Sequence, residues 1–238
     1  MGLKDFWADK TSPSQQDEMA EFLKYLVQDR DALSSQDQAK ALEKLSEFMQ
    51  SDSVDIMKPR TPDDPESLLE QFLCGFYRAD LGQEKDFFRN VFKVILNAKQ
   101  GDVPKADLTS HLPNDRNPLI GYFAGFNALR PFLDVALESA AFDKQKFDAS
   151  CFLSALGRSG RTLKDERDVY KQLLLHDCDP VKYGCFDTRE LIKAREELID
   201  EGHGDCIVGG EKSKASRDAQ KKNVSKVPMA RRRSGLGE

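Results

Sequence analysis

Apolar residues recur at intervals of three and four along most of the chain, which is the spacing of the buried face of an amphipathic helix. The first such stripe is formed by Met19, Phe22, Leu23, Leu26 and Val27. A serine at position 34 or 35 can cap a second helix. The apolar stripe of that helix consists of Leu42, Leu45, Phe48 and Met49. The pattern therefore predicts two short amphipathic helices within residues 1–57.

Two further stripes are rich in phenylalanine. The first consists of Leu68, Leu69, Phe72, Leu73, Phe76 and Tyr77. The second consists of Phe87, Phe88, Val91, Phe92, Ile95 and Leu96. Aromatic stripes at helical spacing are typical of core packing rather than of a cofactor site, so we expect both helices to bury these faces.

The apolar segment at residues 119–141 is interrupted by Gly121, Gly125 and Pro131. Glycine and proline disfavour a continuous helix, so the segment predicts two short helices that meet near residues 127–130. Because no strand of useful length is visible, the fold class that we expect is all-α. The remaining helices are expected at residues 148–156, 162–176 and 187–200.

Three prolines lie within residues 57–65, and each disfavours a helix immediately before it. We therefore place a boundary in this stretch. The expected organisation has four parts, namely an N-terminal helical segment at 1–57, a proline-rich linker at 58–66, a helical domain at 67–205 and a basic tail at 206–238.

Composition narrows the class of protein. The chain has 238 residues, of which 39% are apolar and 32% are charged, and this is enough apolar material for a sizeable core. No apolar run is long enough to span a membrane, and the first ten residues lack the apolar core of a signal peptide. Five cysteines without framework spacing argue for reduced thiols. We therefore expect a cytoplasmic protein without membrane insertion.

Charge is divided unevenly along the chain. Residues 212–233 contain nine basic residues and one acidic residue, which gives this segment a net charge of +8. Residues 1–211 contain 27 basic and 39 acidic residues, which gives a net charge of −12. The basic segment is also poor in apolar residues, so burial cannot offset its ordering entropy and we expect it to be disordered when alone.

The most informative local pattern runs over residues 179–191, between two predicted helices. Numbered as a twelve-residue calcium loop, it has Asp179 at position 1, Gly184 at position 6, Asp187 at position 9 and Glu190 at position 12. Residues 96–107 and 140–151 repeat parts of the same rhythm, with an apolar residue at position 8 of each loop. This spacing is typical of EF-hand loops.

In these residues the chain resembles the EF-hand superfamily, and within it the metal-free repeats of the calmodulin-like domain of alpha-actinin and spectrin. The resemblance rests on residues 92–113, on the turn at residues 179–184, and on Leu156 and Gly157 followed by Thr162 and Glu166. It covers roughly residues 87–200, and it implies helix-loop-helix units with a cytoskeletal or assembly role. The alternative is a helical protein in which an aspartate and a glycine meet at an ordinary turn.

Calcium requires six to eight oxygen ligands. The two earlier loops lack oxygen-bearing side chains at most ligand positions and are expected to be structural turns. The third loop keeps Asp179, Asp187 and Glu190, but Val181 and Tyr183 replace two oxygen donors. We therefore expect no resident cofactor, and calcium affinity on the order of 10⁻⁴ to 10⁻³ M at best.

Other chemistry has little support in the sequence. The motifs of hydrolases, phosphate-binding loops, zinc proteases and dinucleotide-binding folds are absent, so we expect no enzyme activity. Zinc is an alternative because five histidines and cysteines, which are its usual ligands, lie close together in the sequence, but the paired Cys-x-x-Cys spacing of a strong zinc motif is missing. The five residues are His176, Cys178, Cys185, His203 and Cys206.

The basic tail is the second candidate site. A cationic segment can bind acidic protein surfaces, anionic lipid or nucleic acid, although it can also serve only as a solvated appendage. Ser234 follows three arginines and fits the pattern of a basophilic kinase site. The residues expected to contact a partner are Lys221, Lys222, Lys226, Arg231, Arg232 and Arg233.

Together these features predict a non-enzymatic protein–protein interaction or scaffold protein that is largely insensitive to calcium. Its partner would be a protein, and the resemblance implies a cytoskeletal polymer or a larger assembly. One alternative is a calcium-regulated EF-hand sensor. The other is a helical nucleoprotein or coat protein that binds nucleic acid through the tail.

Overall fold

The computed structural model describes residues 14–28, 33–61, 63–77, 79–109, 118–148, 162–183 and 188–204. These residues form eight α-helices and one two-stranded sheet. In chain order the helices are α1 (Gln15–Gln28), α2 (Ser35–Gln50), α3 (Leu68–Cys74), α4 (Lys85–Asn97), α5 (Ile120–Gly125), α6 (Leu133–Glu138), α7 (Leu163–Leu175) and α8 (Arg189–Asp200). The prediction of an all-α fold is confirmed.

Side-chain caps fix where several helices begin. The Ser34 side chain accepts a hydrogen bond from the Asp37 amide, so Ser34 rather than Ser35 caps α2. Thr162 and Asp165 form a reciprocal capping box at the start of α7, and the His176 amide closes the other end of that helix. The predicted helix at 162–176 is therefore correct to within its two capping residues.

The segment at residues 119–141 folds as its glycine and proline positions predict. Helix α5 ends at Gly125, and a short 3₁₀ turn at Arg130–Phe132 leads into α6. The Phe126 amide donates to the Tyr122 carbonyl where α5 ends, at 2.9 Å. The prediction of two short helices that meet in this region is confirmed.

Phe92 on α4 lies at the centre of an aromatic core. Its ring has no exposed surface, and the centroids of four other phenylalanine rings lie within 6 Å of its own. These neighbours come from α3, from the turn that follows it, from α5 and from the 3₁₀ turn at Arg130–Phe132, and they are Phe72, Phe76, Phe123 and Phe132. The phenylalanines of both stripes are therefore core positions, whereas Tyr77 at the end of the first stripe is 61% exposed, so the expectation of burial is wrong there.

Residues on both sides of the proline-rich stretch contribute to one hydrophobic cluster, which extends from Met19 to Leu198. Backbone hydrogen bonds tie the stretch to the start of α3. The Leu68 amide donates to the Lys58 carbonyl, and the Leu69 amide donates to the Ile56 carbonyl, both at 3.0 Å. Helices α1 and α2 thus share a core with the helices that follow them.

The described strands are only two residues long. β1 (Lys99–Gln100) and β2 (Val103–Pro104) form an antiparallel hairpin whose turn contains Gly101 at φ 62°. Glycine adopts this left-handed conformation without the steric penalty of a side chain. The hairpin lies within the first loop-like segment, at residues 96–107.

Main-chain hydrogen bonds join this segment to the second loop-like segment. The Leu108 amide donates to the Ala141 carbonyl at 2.8 Å, and the Ala141 amide donates to the Leu96 carbonyl at 3.1 Å. The two segments therefore lie side by side. Among the described helices, none is both long enough and apolar enough to cross a bilayer.

Candidate functional site

Asp179 lies just beyond the end of α7, and its side chain is only 6% exposed. One carboxylate oxygen accepts hydrogen bonds from the Arg195 guanidinium at 2.8 Å and from the Val181 amide at 3.0 Å. The hydrogen bond from the Val181 amide fixes the turn that leads into the 3₁₀ helix Pro180–Tyr183. The guanidinium belongs to α8, so this ion pair joins the turn to that helix.

Glu190 lies in the first turn of α8, and its side chain is only 5% exposed. It accepts hydrogen bonds from the ammonium of Lys193 and from the Nε of Arg167, each at 3.0 Å. These two hydrogen bonds hold the pKa of the Glu190 carboxyl below its ordinary value, with the larger effect from Lys193. Glu190 is therefore ionised and bound to cations at neutral pH.

The ion pairs continue along the contact between α7 and α8. Arg167 also binds Glu197 at 2.6 Å, while Lys171 binds Glu197 at 3.3 Å and Glu201 at 2.5 Å. Hydrogen bonds from Arg167 and then from Lys171 lower the pKa of the Glu197 carboxyl. We refer to the pairs between α7 and α8, together with the Asp179–Arg195 pair, as the α7–α8 ion-pair network.

Two of the three candidate calcium ligands therefore already have a cationic partner inside the protein. A calcium ion would have to compete with Arg195 for Asp179, and with Arg167 and Lys193 for Glu190. Asp187 and Gly184 lie outside the described residues. Within the described ranges, no group of three or more His, Cys, Asp and Glu side chains has an arrangement that could hold a metal ion.

The residues of the zinc alternative are only partly described. Cys178 is fully buried, and its thiol donates a hydrogen bond to the His176 carbonyl at 3.4 Å. Burial raises the pKa of this thiol to about 11, which disfavours the thiolate that zinc requires. His203 is exposed, and Cys185 and Cys206 lie outside the described residues.

The basic tail also lies outside the described residues. The residues expected to contact a partner are therefore not described, and neither is Ser234, the candidate for modification. The expected contact residues are Lys221, Lys222, Lys226, Arg231, Arg232 and Arg233.

Sequence reasoning missed the cations that bind the candidate calcium ligands. The spacing of Glu190 and Lys193 is a recognisable helix-surface pair, because residues three apart face the same side. Arg167 lies 23 positions before Glu190, and Arg195 lies 16 positions after Asp179. Pairs this distant depend on how the helices pack and have no local signal in the sequence.

Comparison with known proteins gave no match to any family model, curated protein or solved structure.

The ion-pair network makes a prediction about acid stability. The pKa values of Glu190 and Glu197 are lowered in the folded state, so the unfolded chain binds more protons in the acid range. Their stabilising contribution is therefore complete above the unfolded pKa of about 4.3 and is lost as the pH falls through the folded pKa values. We expect thermal unfolding to shift to lower temperature below about pH 4.3.

A variant that lacks one carboxyl of the network tests whether the network causes the loss of stability in acid. Glu197→Gln removes one titrating carboxyl, so its melting temperature should fall less between neutral and acid pH than that of the unmodified chain. Circular dichroism melts across the pH range measure both. Parallel pH profiles for the two proteins would contradict the prediction.

Proposed function

We propose that this chain is a non-enzymatic protein–protein interaction or scaffold protein of the cytoplasm, which attaches to an acidic protein partner through its basic C-terminal segment. One observation carries the proposal, namely the separation of charge between residues 1–211, at −12, and residues 212–233, at +8. Electrostatic complementarity of this kind favours rapid encounter with an oppositely charged surface.

The arginines of the helical body support a role for the basic segment in binding an acidic partner, because most of them already have partners inside the protein. Arg60 pairs with Asp17 and Glu21, and Arg89 pairs with Asp134 at 2.7 Å. Arg130, Arg167 and Arg195 also have carboxylate partners, so among the described arginines only Arg189 forms no ion pair within the described ranges. Since these arginine charges are neutralised locally, residues 212–233 remain the segment with the highest net positive charge in the sequence.

The α7–α8 ion-pair network supports the expectation of calcium insensitivity. Calcium opens sensor EF-hands because the ion draws carboxylates together and changes the angle between helices. Here Arg195, Arg167 and Lys193 already bind the carboxylates that would receive the ion. An EF-hand-like helix pair of this kind would keep the same angle between its helices with and without calcium.

The family resemblance suggests a cytoskeletal polymer or another large assembly as the partner.

A salt series on a defined probe tests the proposal. Binding to poly-L-glutamate is compared for the full chain and for a chain that ends at Glu211. The shortened chain retains the whole described core, whose last member is Leu198. Exposed charges are screened over about 8 Å at physiological ionic strength, so we expect the full chain to bind with a steep salt dependence. The shortened chain should bind much more weakly.

A Ser234→Asp variant should bind less tightly than the unmodified chain, because it places a negative charge beside three arginines. Equal affinity and an equal salt slope for the full and shortened chains would overturn the proposal. High affinity for double-stranded DNA, together with nucleic acid that copurifies with the protein, would instead favour the nucleoprotein alternative.

The calcium-sensor alternative retains support from Asp179 and Glu190, which occupy the first and last ligand positions of the third loop. We expect about 1 mM calcium to raise the free energy of unfolding by only about 0.4 kcal/mol, for a dissociation constant on the order of 10⁻³ M. Thermal melts with and without calcium measure this. A shift of many degrees that disappears in an Asp179→Asn, Glu190→Gln double variant would favour the sensor.

A further inference from the structure

Helix α8 buries fewer apolar side chains than the central helix α4. The apolar residues that α8 buries are Leu191, Ala194 and Leu198, and the alanine contributes only a methyl group. Helix α4 is one residue longer, and it buries six apolar residues, namely Phe87, Phe88, Val91, Phe92, Ile95 and Leu96. Because burial of apolar surface is the dominant favourable term in folding, apolar contacts hold α8 in place less firmly than α4.

The contacts of α8 are also less distributed over the fold. Its main contact among the described elements is with α7. Helix α4 instead contacts α2, α6 and the 3₁₀ turn at Arg130–Phe132. Movement of α4 would therefore disrupt several interfaces at once, whereas α8 can separate from the rest of the core mainly along one.

Ion pairs supplement the small apolar contact between α7 and α8. Arg167 and Lys171 of α7 pair with Glu197 of α8, at 2.6 Å and 3.3 Å, and Lys171 also pairs with Glu201 at 2.5 Å. The side chain of Glu197 is 39% exposed, and that of Glu201 is 51% exposed. Since solvent reaches both carboxylates, dissolved salt screens these pairs more effectively than it screens buried ones.

We propose that α8 is a detachable helix, which separates from α7 as a unit while the aromatic core remains folded, and that these exposed ion pairs regulate the separation. Elements with few buried apolar contacts open locally at a lower free energy than the core of the same protein. Screening of the ion pairs by salt then shifts the equilibrium toward the open state. This inference goes beyond the proposed function, because it concerns the helical body and not the basic segment.

Separation changes the surface that the protein presents. The buried face of α7 consists of Val169, Tyr170, Leu173 and Leu174. Helix α7 also contacts α6, so departure of α8 uncovers the part of this face that α6 does not cover. The two states therefore differ in exposed apolar surface, and ionic strength acts as the switch between them.

Hydrogen exchange of backbone amides in the full native chain, followed residue by residue by NMR, tests the separation. After correction for intrinsic exchange rates, we expect the amides of Ala194 and Leu198 to exchange at least about tenfold faster than those of Val91 and Phe92. Low concentrations of urea should accelerate the α8 amides only slightly, because local opening exposes little surface. Equal rates and an equal urea dependence in both helices would overturn the proposal by showing that they unfold together.

The salt dependence of exchange tests the role of the ion pairs. We expect an increase of sodium chloride from about 0.05 M to about 0.5 M to raise the opening of α8 several-fold. The same increase should change exchange in α4 little, because six buried apolar residues hold that helix. A salt effect that is absent, or that is equal in the two helices, would overturn the proposal.

Charge reversal locates the effect. Lys171→Glu places like charges beside Glu197 and Glu201, and we expect it to raise the opening of α8 by about threefold to tenfold without a change in α4. Adding Glu201→Lys restores an opposite pair and should reverse much of this increase. Lys44→Glu is the matched control, because it makes the same charge change in an ion pair on α2. Equal effects of Lys44→Glu and Lys171→Glu on α8, or no reversal in the double variant, would overturn the proposal.

Discussion

Replacement of Phe92 by alanine is expected to lower the free energy of unfolding by about 3–5 kcal/mol. The Phe92 ring is fully buried, and it packs against rings from α3, α5 and the 3₁₀ turn at Arg130–Phe132. Removing it deletes apolar contacts and leaves a cavity that the surrounding helices can only partly fill. A loss of this size is a large share of the total stability of a typical domain, which is about 5–15 kcal/mol.

Urea unfolding followed by circular dichroism measures this loss. Phe92→Leu should give an intermediate value, which keeps the test informative if the alanine variant does not fold. Tyr77→Ala is the control because the Tyr77 side chain is 61% exposed, and its expected cost is about 1 kcal/mol or less. Equal costs at Phe92 and Tyr77 would mean that α3, α4 and α5 do not share the aromatic core described above.

Replacement of Arg195 by methionine is expected to cost about 3–5 kcal/mol, because it leaves the buried carboxylate of Asp179 without its cation. Both side chains of this pair are largely buried, at 14% exposed for Arg195 and 6% for Asp179. The methionine retains much of the apolar volume of the arginine stem, so the cost reflects mainly the unpaired charge.

A double variant separates charge from packing. Asp179→Asn combined with Arg195→Met removes both charges and should recover much of the lost stability, since neutral replacement of a buried ion pair is often tolerated. Lys44→Met is the control, because the Lys44–Glu47 pair is more exposed and should contribute about 1 kcal/mol or less. Additive losses at positions 179 and 195 would show that the two side chains do not interact.

Local sequence signals explain why the helices were predictable. Gly121, Gly125 and Pro131 interrupt an apolar segment, and the chain forms two short helices there. Capping residues act at a similar range, because the Ser34 and Thr162 side chains bind amides only three residues away. Such interactions involve neighbours in sequence, so the pattern of residue types is enough to indicate them.

The candidate site is different because its energetics depend on distant contacts. The spacing of residues in the loop indicates that Asp179 and Glu190 are candidate ligands, but it does not indicate which arginines pair with them. Lys193 lies three residues from Glu190 on the same helix, but Arg167 comes from α7 and Arg195 from α8, and only the packing of the two helices brings these arginines to the carboxylates. The spacing of the motif therefore indicates which acidic residues are candidate ligands, but not that they already form ion pairs inside the protein.

The most direct measurement of the proposed function keeps the length of the chain and changes only its charge. The nine lysines and arginines of residues 212–233 are replaced by glutamine, and binding to fluorescent poly-L-glutamate is followed by anisotropy at low and physiological salt. We predict tight, salt-sensitive binding by the unmodified chain and little binding by the neutralised chain. Equal affinity of the two chains, at both salt concentrations, would contradict attachment through the basic segment.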